Sequence, residues 1–311
     1  MVVDPAVKKI IEMINSLGVP DFEKMDVKDI RKMMDENPLP KKIEEVLSVR
    51  DMSFVHHGFT IPVRLYVPRN VGKSLILYLH GGGFVFGNID SYDPVCRKIA
   101  NASGCKVISV EYRLAPEHKF PAAVEDAYES YLWARKNADV LEIDPEKIVV
   151  AGDSAGGNLA AATCLIVKDK GIPPPKLQVL FYPTIGPDFF TESLREYGEG
   201  YFLTARQINF FGNAYLKTTS DVLNPYFSPI LYGNHSGLPE AIIITAEHDP
   251  LRDQGEMYLS TLYSSGVQAT GIRAKGMMHG FVSLFGMVPA AENILTMVLN
   301  LHNHFLRGRV L

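Results

Sequence analysis

The chain of 311 residues has only three cysteines, one tryptophan and no long apolar run. Cys96, Cys105 and Cys164 are scattered and odd in number, so they fit neither a disulfide framework nor the spacing of zinc ligands. The longest apolar stretches, such as 241–246, are far too short to cross a bilayer. The opening residues, MVVDPAVKKI, lack a basic segment followed by an apolar one, so no secretory signal is read there. Charge of one sign is also missing: 31 Lys and Arg stand against 35 Asp and Glu, for a net charge of -4. No basic run suggests a nucleic-acid partner, and there is no acidic tail, internal repeat or low-complexity segment. These absences predict a reduced, cytoplasmic protein that binds neither nucleic acid nor membrane.

What is present is a large apolar fraction, 47%. A chain of this length is near the upper limit for one hydrophobic core, so one large domain with an insertion is expected. Residues 1–45 read as helical and set apart. Asp4 can cap a helix, Pro5 suits its first position, and Val7, Ile10, Ile11 and Ile14 recur at helical spacing until Gly18. A second short helix is predicted over 26–36, stopping before Pro38. The alternation over 46–67, broken at Gly58, predicts an antiparallel hairpin.

Beyond residue 70 short apolar strands alternate with helical patterns. Strands are predicted at 74–79, 106–111, 148–151, 178–182, 241–246 and 269–274, with helices such as 122–137 and 251–265 between them. Continuously apolar strands separated by helices predict a mostly parallel sheet covered on both faces. The stretch from Thr184 to about Pro229 breaks the rhythm. It has no strand, carries a helix over 205–216, and mixes aromatics (Phe189, Phe190, Tyr197, Tyr201, Phe202, Phe210, Phe211, Tyr215) with charge (Asp188, Glu192, Arg195, Glu196, Glu199, Arg206). A connection this long needs structure and purpose of its own.

The chemistry concentrates in VVAGDSAGGNLAAA, residues 149–162. A Gly-x-Ser-x-Gly pentad alone occurs by chance in roughly one chain of this length in ten. Here it sits where a buried strand passes into a helix, the setting of a nucleophile elbow, so Ser154 is the candidate nucleophile. A serine hydroxyl needs a base. In this kind of sheet the chain order is serine, acid, histidine. Of nine histidines only His279, His302 and His304 follow a plausible acid. The last two fall in a terminal helix and read as surface or capping residues. His279 follows the last strand, in a loop loosened by Gly276 and Gly280. The acid is Asp249 or Asp253, from TAEHDPLRD. Asp249 lies in the loop at the strand's carboxyl end and is preferred; Asp253 falls in a helical first turn, where a carboxylate commonly satisfies the dipole. Three consecutive glycines in YLHGGGFVFGN expose backbone N–H groups, and those of Gly82, Gly83 and Ala155 are the candidate oxyanion donors. His80 reads as structural.

These motifs together resemble the hormone-sensitive-lipase-like branch of the α/β-hydrolase family, the bacterial and archaeal carboxylesterases. The matching residues are His80 to Phe84, Tyr112 to Glu117, Gly152 to Gly157, Asp249 to Asp253, and His279 to Phe281, in family order. The resemblance implies an α/β-hydrolase fold with Ser154, Asp249 and His279 as triad and Gly82, Gly83 and Ala155 as oxyanion hole. It also implies a helical cap over the site. The chain then divides into 1–45 (cap), 46–183 (first core part), 184–224 (cap insertion) and 225–311 (second core part). The expected reaction is hydrolysis of short- to medium-chain acyl esters through an acyl-serine intermediate, with a small-molecule ester as partner and no metal or cofactor. An amidase or formamidase would use the same machinery. A non-catalytic receptor on this fold would, by resemblance, lack the histidine. The last strand and the apolar helix after it also suggest a homodimer.

Overall fold

Alternation along the central strands decides how the sheet is covered. Leu75, Leu77 and Leu79 of one strand belong to one apolar cluster, and Ile76 and Tyr78 of the same strand to another. Successive side chains of a strand point to opposite faces, so both faces must carry helices. The computed structural model describes residues 2–18, 20–35, 42–187 and 191–306. Its order is α1 (Pro5–Leu17), α2 (Val27–Asp35), β1 (Ser48–His56), β2 (Phe59–Val67), β3 (Leu75–Leu79), α3 (Asp93–Ser103), β4 (Lys106–Val110), α4 (Ala122–Lys136) and α5 (Ala138–Leu141). There follow β5 (Ile148–Asp153), α6 (Ala155–Asp169), β6 (Leu177–Phe181), α7 (Glu192–Tyr197), α8 (Ala205–Tyr215), β7 (Ala241–His248), α9 (Arg252–Ser264), β8 (Ala269–Met278) and α10 (Pro289–Leu306).

The eight strands form one sheet in the order β1-β2-β4-β3-β5-β6-β7-β8. The hairpin β1–β2 and its junction with β4 are antiparallel; the other neighbours run parallel. One face is covered by α4, α6 and α9, through residues such as Ala127, Leu159 and Leu262. The other is covered by α3 and α10, through Val95, Ile99, Leu295 and Leu299, with Val7 and Ile11 of α1 joining them. Asp4 caps α1 by accepting from the N–H of Ala6 at 2.8 Å, as its sequence predicts.

Three expectations change. The last strand does not stop at residue 274: β8 continues to Met278, paired to β7 across a bulge between Ala246 and His248. Gly276 (φ 72) therefore lies inside a strand, where its carbonyl accepts from the N–H of Asp4. That contact lays the start of α1 along the exposed edge. His302 is wholly buried, not on the surface. It follows Leu295, Val298 and Leu299 at helical spacing on the inward stripe of α10. That stripe packs on α3 and the β6 face, not beside β8, so the apolarity of α10 is used within the fold. Glu36 and Pro38, with Asp188, Phe189 and Phe190 and the His304 side chain, lie outside the described residues.

Candidate active site

Ser154 stands between β5 and α6 in a strained conformation, φ 56 and ψ -118. The left-handed region costs a non-glycine residue of order 1–3 kcal/mol and persists where surroundings over-determine it. Here they do. A Cβ on Gly152 would overlap the carbonyl oxygen of Gly156, and one on Gly156 would overlap that of Leu79. The turn closes this tightly only because both flanking residues are glycine.

The parallel order brings β7 and β8 to one side of β5, and their carboxyl ends deliver the other two groups. His279 follows β8 directly, and its Nε2 lies 2.9 Å from Ser154 Oγ. Its Nδ1 lies 2.7 Å from Asp249 Oδ2. The second Asp249 oxygen accepts from the Leu251 N–H at 2.8 Å, and the residue is fully buried. The Asp249–Pro250 corner after β7 thus fixes both carboxylate oxygens, and the carboxylate in turn fixes the imidazole tautomer: Nδ1 donates to Asp249, and Nε2 is free to accept from serine. Asp253 is turned away. It accepts from the Ser193 N–H (2.7 Å) and Arg252 Nε (2.9 Å), tying α7 to α9. Burial pushes its pKa up, but those two donors outweigh burial and hold it below the usual value.

The glycine loop after β3 abuts this elbow. Gly82 and Gly83 have φ 114 and 61, and the Gly82 carbonyl accepts from the N–H groups of Val85 and Phe86 in a tight turn. Among the described residues, the N–H groups of Gly82, Gly83 and Ala155 donate to no acceptor within the chain. His80 is wholly buried, its Nδ1 2.7 Å from the Gly81 carbonyl, its ring stacked on Tyr112 at 4.2 Å. Burial lowers its pKa to about 4, so it is a neutral brace across the neutral range, as its sequence position predicts.

Two residues of the site were given no role by sequence reasoning. Asp153, immediately before the serine, accepts from Tyr78 Oη (2.8 Å), the Gly81 N–H (3.0 Å) and Tyr92 Oη (3.0 Å). It ties the glycine loop to the elbow. Burial pushes its carboxyl up; the tyrosine hydroxyls oppose that shift. Only its presence inside the pentad signalled it. Arg31 of α2 donates to the carbonyls of Val85 and Ala115 and pairs with Glu117 at 2.6 Å, clamping the far end of the same loop. Nothing local in the sequence of α2 marks it.

The two segments outside the alternating pattern meet here. Phe22 lies 5.6 Å from Phe210 and 5.9 Å from Phe211, centroid to centroid. Phe211 leaves no room for a Cβ on Gly83, and Phe202 lies against Gly280. A cleft of about 350 Å³ opens between these segments, lined by Phe22, Phe210 and Arg206 among others.

The chain as a whole is similar to known proteins. The profile of a family described as alpha/beta hydrolase fold matches residues 76–283. An arylesterase of Saccharolobus solfataricus is 39% identical over 289 residues, 91% of this chain and 93% of that protein. An ethyl acetate hydrolase of Pseudomonas putida is 34% identical over 94% of each chain. The solved structure of a hyperthermophilic esterase from the archaeon Pyrobaculum calidifontis superposes with a TM-score of 0.92 at 40% identity, covering 97% of this chain and 98% of that one. With its eight-stranded sheet, strained serine and glycine loop, the chain belongs to the α/β-hydrolase fold family, in its hormone-sensitive-lipase-like carboxylesterase branch.

Proposed function

We propose that this carboxylesterase hydrolyses short- to medium-chain acyl esters with Ser154 as nucleophile, His279 as base and Asp249 as the group that orients it. The observation that carries this reading is the continuous chain Asp249 Oδ2–His279–Ser154 Oγ, 2.7 and 2.9 Å, ending on a strained elbow. Ser154 Oγ attacks the ester carbonyl while His279 Nε2 takes its proton. The N–H groups of Gly82, Gly83 and Ala155 receive the oxyanion; one such donor typically contributes about 3 kcal/mol to lowering the barrier. His279 passes the proton to the departing alcohol, and water repeats the sequence on the acyl-enzyme. Every step uses side chains and backbone of this chain.

The segments 1–45 and 184–224 are assigned as the two parts of a cap over this site. Its aromatic contacts with the glycine loop support a compact acyl pocket, and its charged residues disfavour a lipid-surface anchor. No described helix is long and apolar enough to cross a membrane. Cys96, Cys105 and Cys164 are buried and free, which supports a cytoplasmic setting. The β8 edge is assigned as the pairing surface of a homodimer; light scattering that finds only monomer at micromolar concentration would refute this.

An organophosphate is expected to label one serine per chain, Ser154, and to abolish release of chromophore from a short-chain aryl ester. Ser154→Ala is expected to lose about 10⁶-fold in kcat. Labelling elsewhere, or an active Ser154→Ala protein, refutes the assignment.

A further inference from the structure

We propose that His56, His57 and Glu125 form a site for one divalent transition-metal cation of the zinc type, which staples the β1–β2 hairpin to α4. Consecutive residues of a straight strand point to opposite faces. Here the hairpin turns at His57 (φ 48) and Gly58 (φ 81), and the two rings come together with centroids 4.2 Å apart. One ring nitrogen of each histidine and a carboxylate oxygen of Glu125, in the first turn of α4, all lie within 4.8 Å of one another. No other such group of histidine, cysteine and acidic residues occurs among the described residues.

A second observation points to a ligand. His56 Nε2 is buried and has no hydrogen-bond partner. A buried polar atom left unsatisfied is costly, and a cation removes that cost by taking the lone pair. Two imidazole nitrogens and a carboxylate oxygen form a donor set suited to Zn²⁺, Ni²⁺ or Cu²⁺, with water filling the fourth position. At bond lengths of about 2.0–2.2 Å, tetrahedral donors stand about 3.3 Å apart. The cluster must therefore contract by at most ~1.5 Å, which the exposed His57 and the half-exposed Glu125 side chain permit. A competing charge, Arg113, lies 3.7 Å from Glu125. Its guanidinium is already matched by paired hydrogen bonds to the buried Asp126 (2.7 and 2.8 Å) and rests on the Phe59 ring, so Glu125 keeps an available oxygen. The hairpin is the outer edge of the sheet, and a metal there would fasten an edge whose only sheet neighbour is β2. The site shares no residue with Ser154, His279 or Asp249, so its occupancy and ester hydrolysis are separable.

Chelator-stripped full-length protein titrated with zinc chloride tests the site by calorimetry and thermal unfolding. The expected result is saturable uptake of one ion per chain with a rise in Tm, weakening on acidification as protons compete for the imidazoles. His57→Ala and Glu125→Gln should each weaken uptake at least tenfold and remove the rise in Tm. His118→Asn, on a histidine packed against Phe59 but outside the donor set, should retain both. Absence of saturable uptake, undiminished uptake in His57→Ala and Glu125→Gln, or equal loss in His118→Asn overturns the proposal.

Discussion

Around Ser154 the contacts are backbone against backbone at the glycines, and short hydrogen bonds to a buried carboxylate beside them. Carbonyls of Leu79 and Gly156 close on glycines, and Asp153 is enclosed by three donors. In the segments 20–24 and 198–211 the contacts are side chain against side chain, partly in water: the Phe22, Phe210 and Phe211 rings, and Arg206 at 3.4 Å from Asp21 and 3.5 Å from Glu23. A backbone clash has no low-cost relief, because moving it moves a strand. A ring or a long charged side chain can change rotamer. The comparison teaches where this molecule can vary: the groups assigned to chemistry are held by parts that cannot shift, and the assigned pocket wall by parts that can.

The comparison breaks first at the two acids, which lie four residues apart in one loop-helix junction. Asp249→Asn should lower kcat about 10⁴-fold with little change in Tm, because an amide cannot hold His279 in the accepting tautomer. Asp253→Asn should keep activity and lose only about 1 kcal/mol of stability, since it weakens the tie between α7 and α9. Steady-state kinetics beside thermal unfolding of both variants checks this. The reverse pattern would exchange the two roles.

Asp153 sharpens the comparison on the rigid side. Asp153→Asn should lower kcat about 10–100-fold with KM nearly unchanged, because the loop bearing the assigned oxyanion donors loses part of its tie to the elbow, and such donors act only in the transition state. A linked stability effect follows. Burial raises the folded pKa of Asp153 above its ordinary value of 3.8, so between those two values the native state holds more protons than the unfolded chain. Its contribution therefore makes stability fall as pH rises through that window. Urea unfolding of the two proteins across the acid range should show this slope in the wild type and its absence in Asp153→Asn.

On the adaptable side effects should be smaller and fall on selectivity. Phe211→Ala opens space against Gly83. It should move the preferred acyl chain to greater length, each newly buried methylene contributing about 0.8 kcal/mol, near fourfold in kcat/KM. A series of aryl esters differing only in acyl length measures this; an unchanged optimum would mean that Phe211 does not bound the acyl pocket. Smallest of all, Arg206→Ala should leave kcat/KM within about twofold, because its side chain is 64% exposed and water screens its pairs.

Much of the architecture was legible because it is written in local patterns. The apolar strands, the helices between them, the Asp4 cap and the strand-less stretch all appear where period and capping chemistry place them. The catalytic candidates were legible for a related reason: the pentad is a local turn problem, and chain order then narrows the acid and the base. What failed was context at long range. The extension of β8 depends on a bulge against β7, and the burial of His302 depends on which stripe of α10 meets the sheet.

Sequence alone located the elbow, because the pentad Gly152 to Gly156 lies where an apolar strand passes into a helix, although the carbonyl that Gly156 must clear belongs to Leu79 of the neighbouring strand. It determined the mostly parallel sheet, because continuously apolar strands can be satisfied only by cover on both faces. Only the tertiary structure decided that Asp249 and not Asp253 faces His279, that Asp153 and Arg31 secure the glycine loop, and that the His56 and His57 rings meet Glu125. Each of these joins residues far apart in the chain or turns on a backbone reversal, and hydrogen-bond direction over such distances is fixed by packing rather than by any local period.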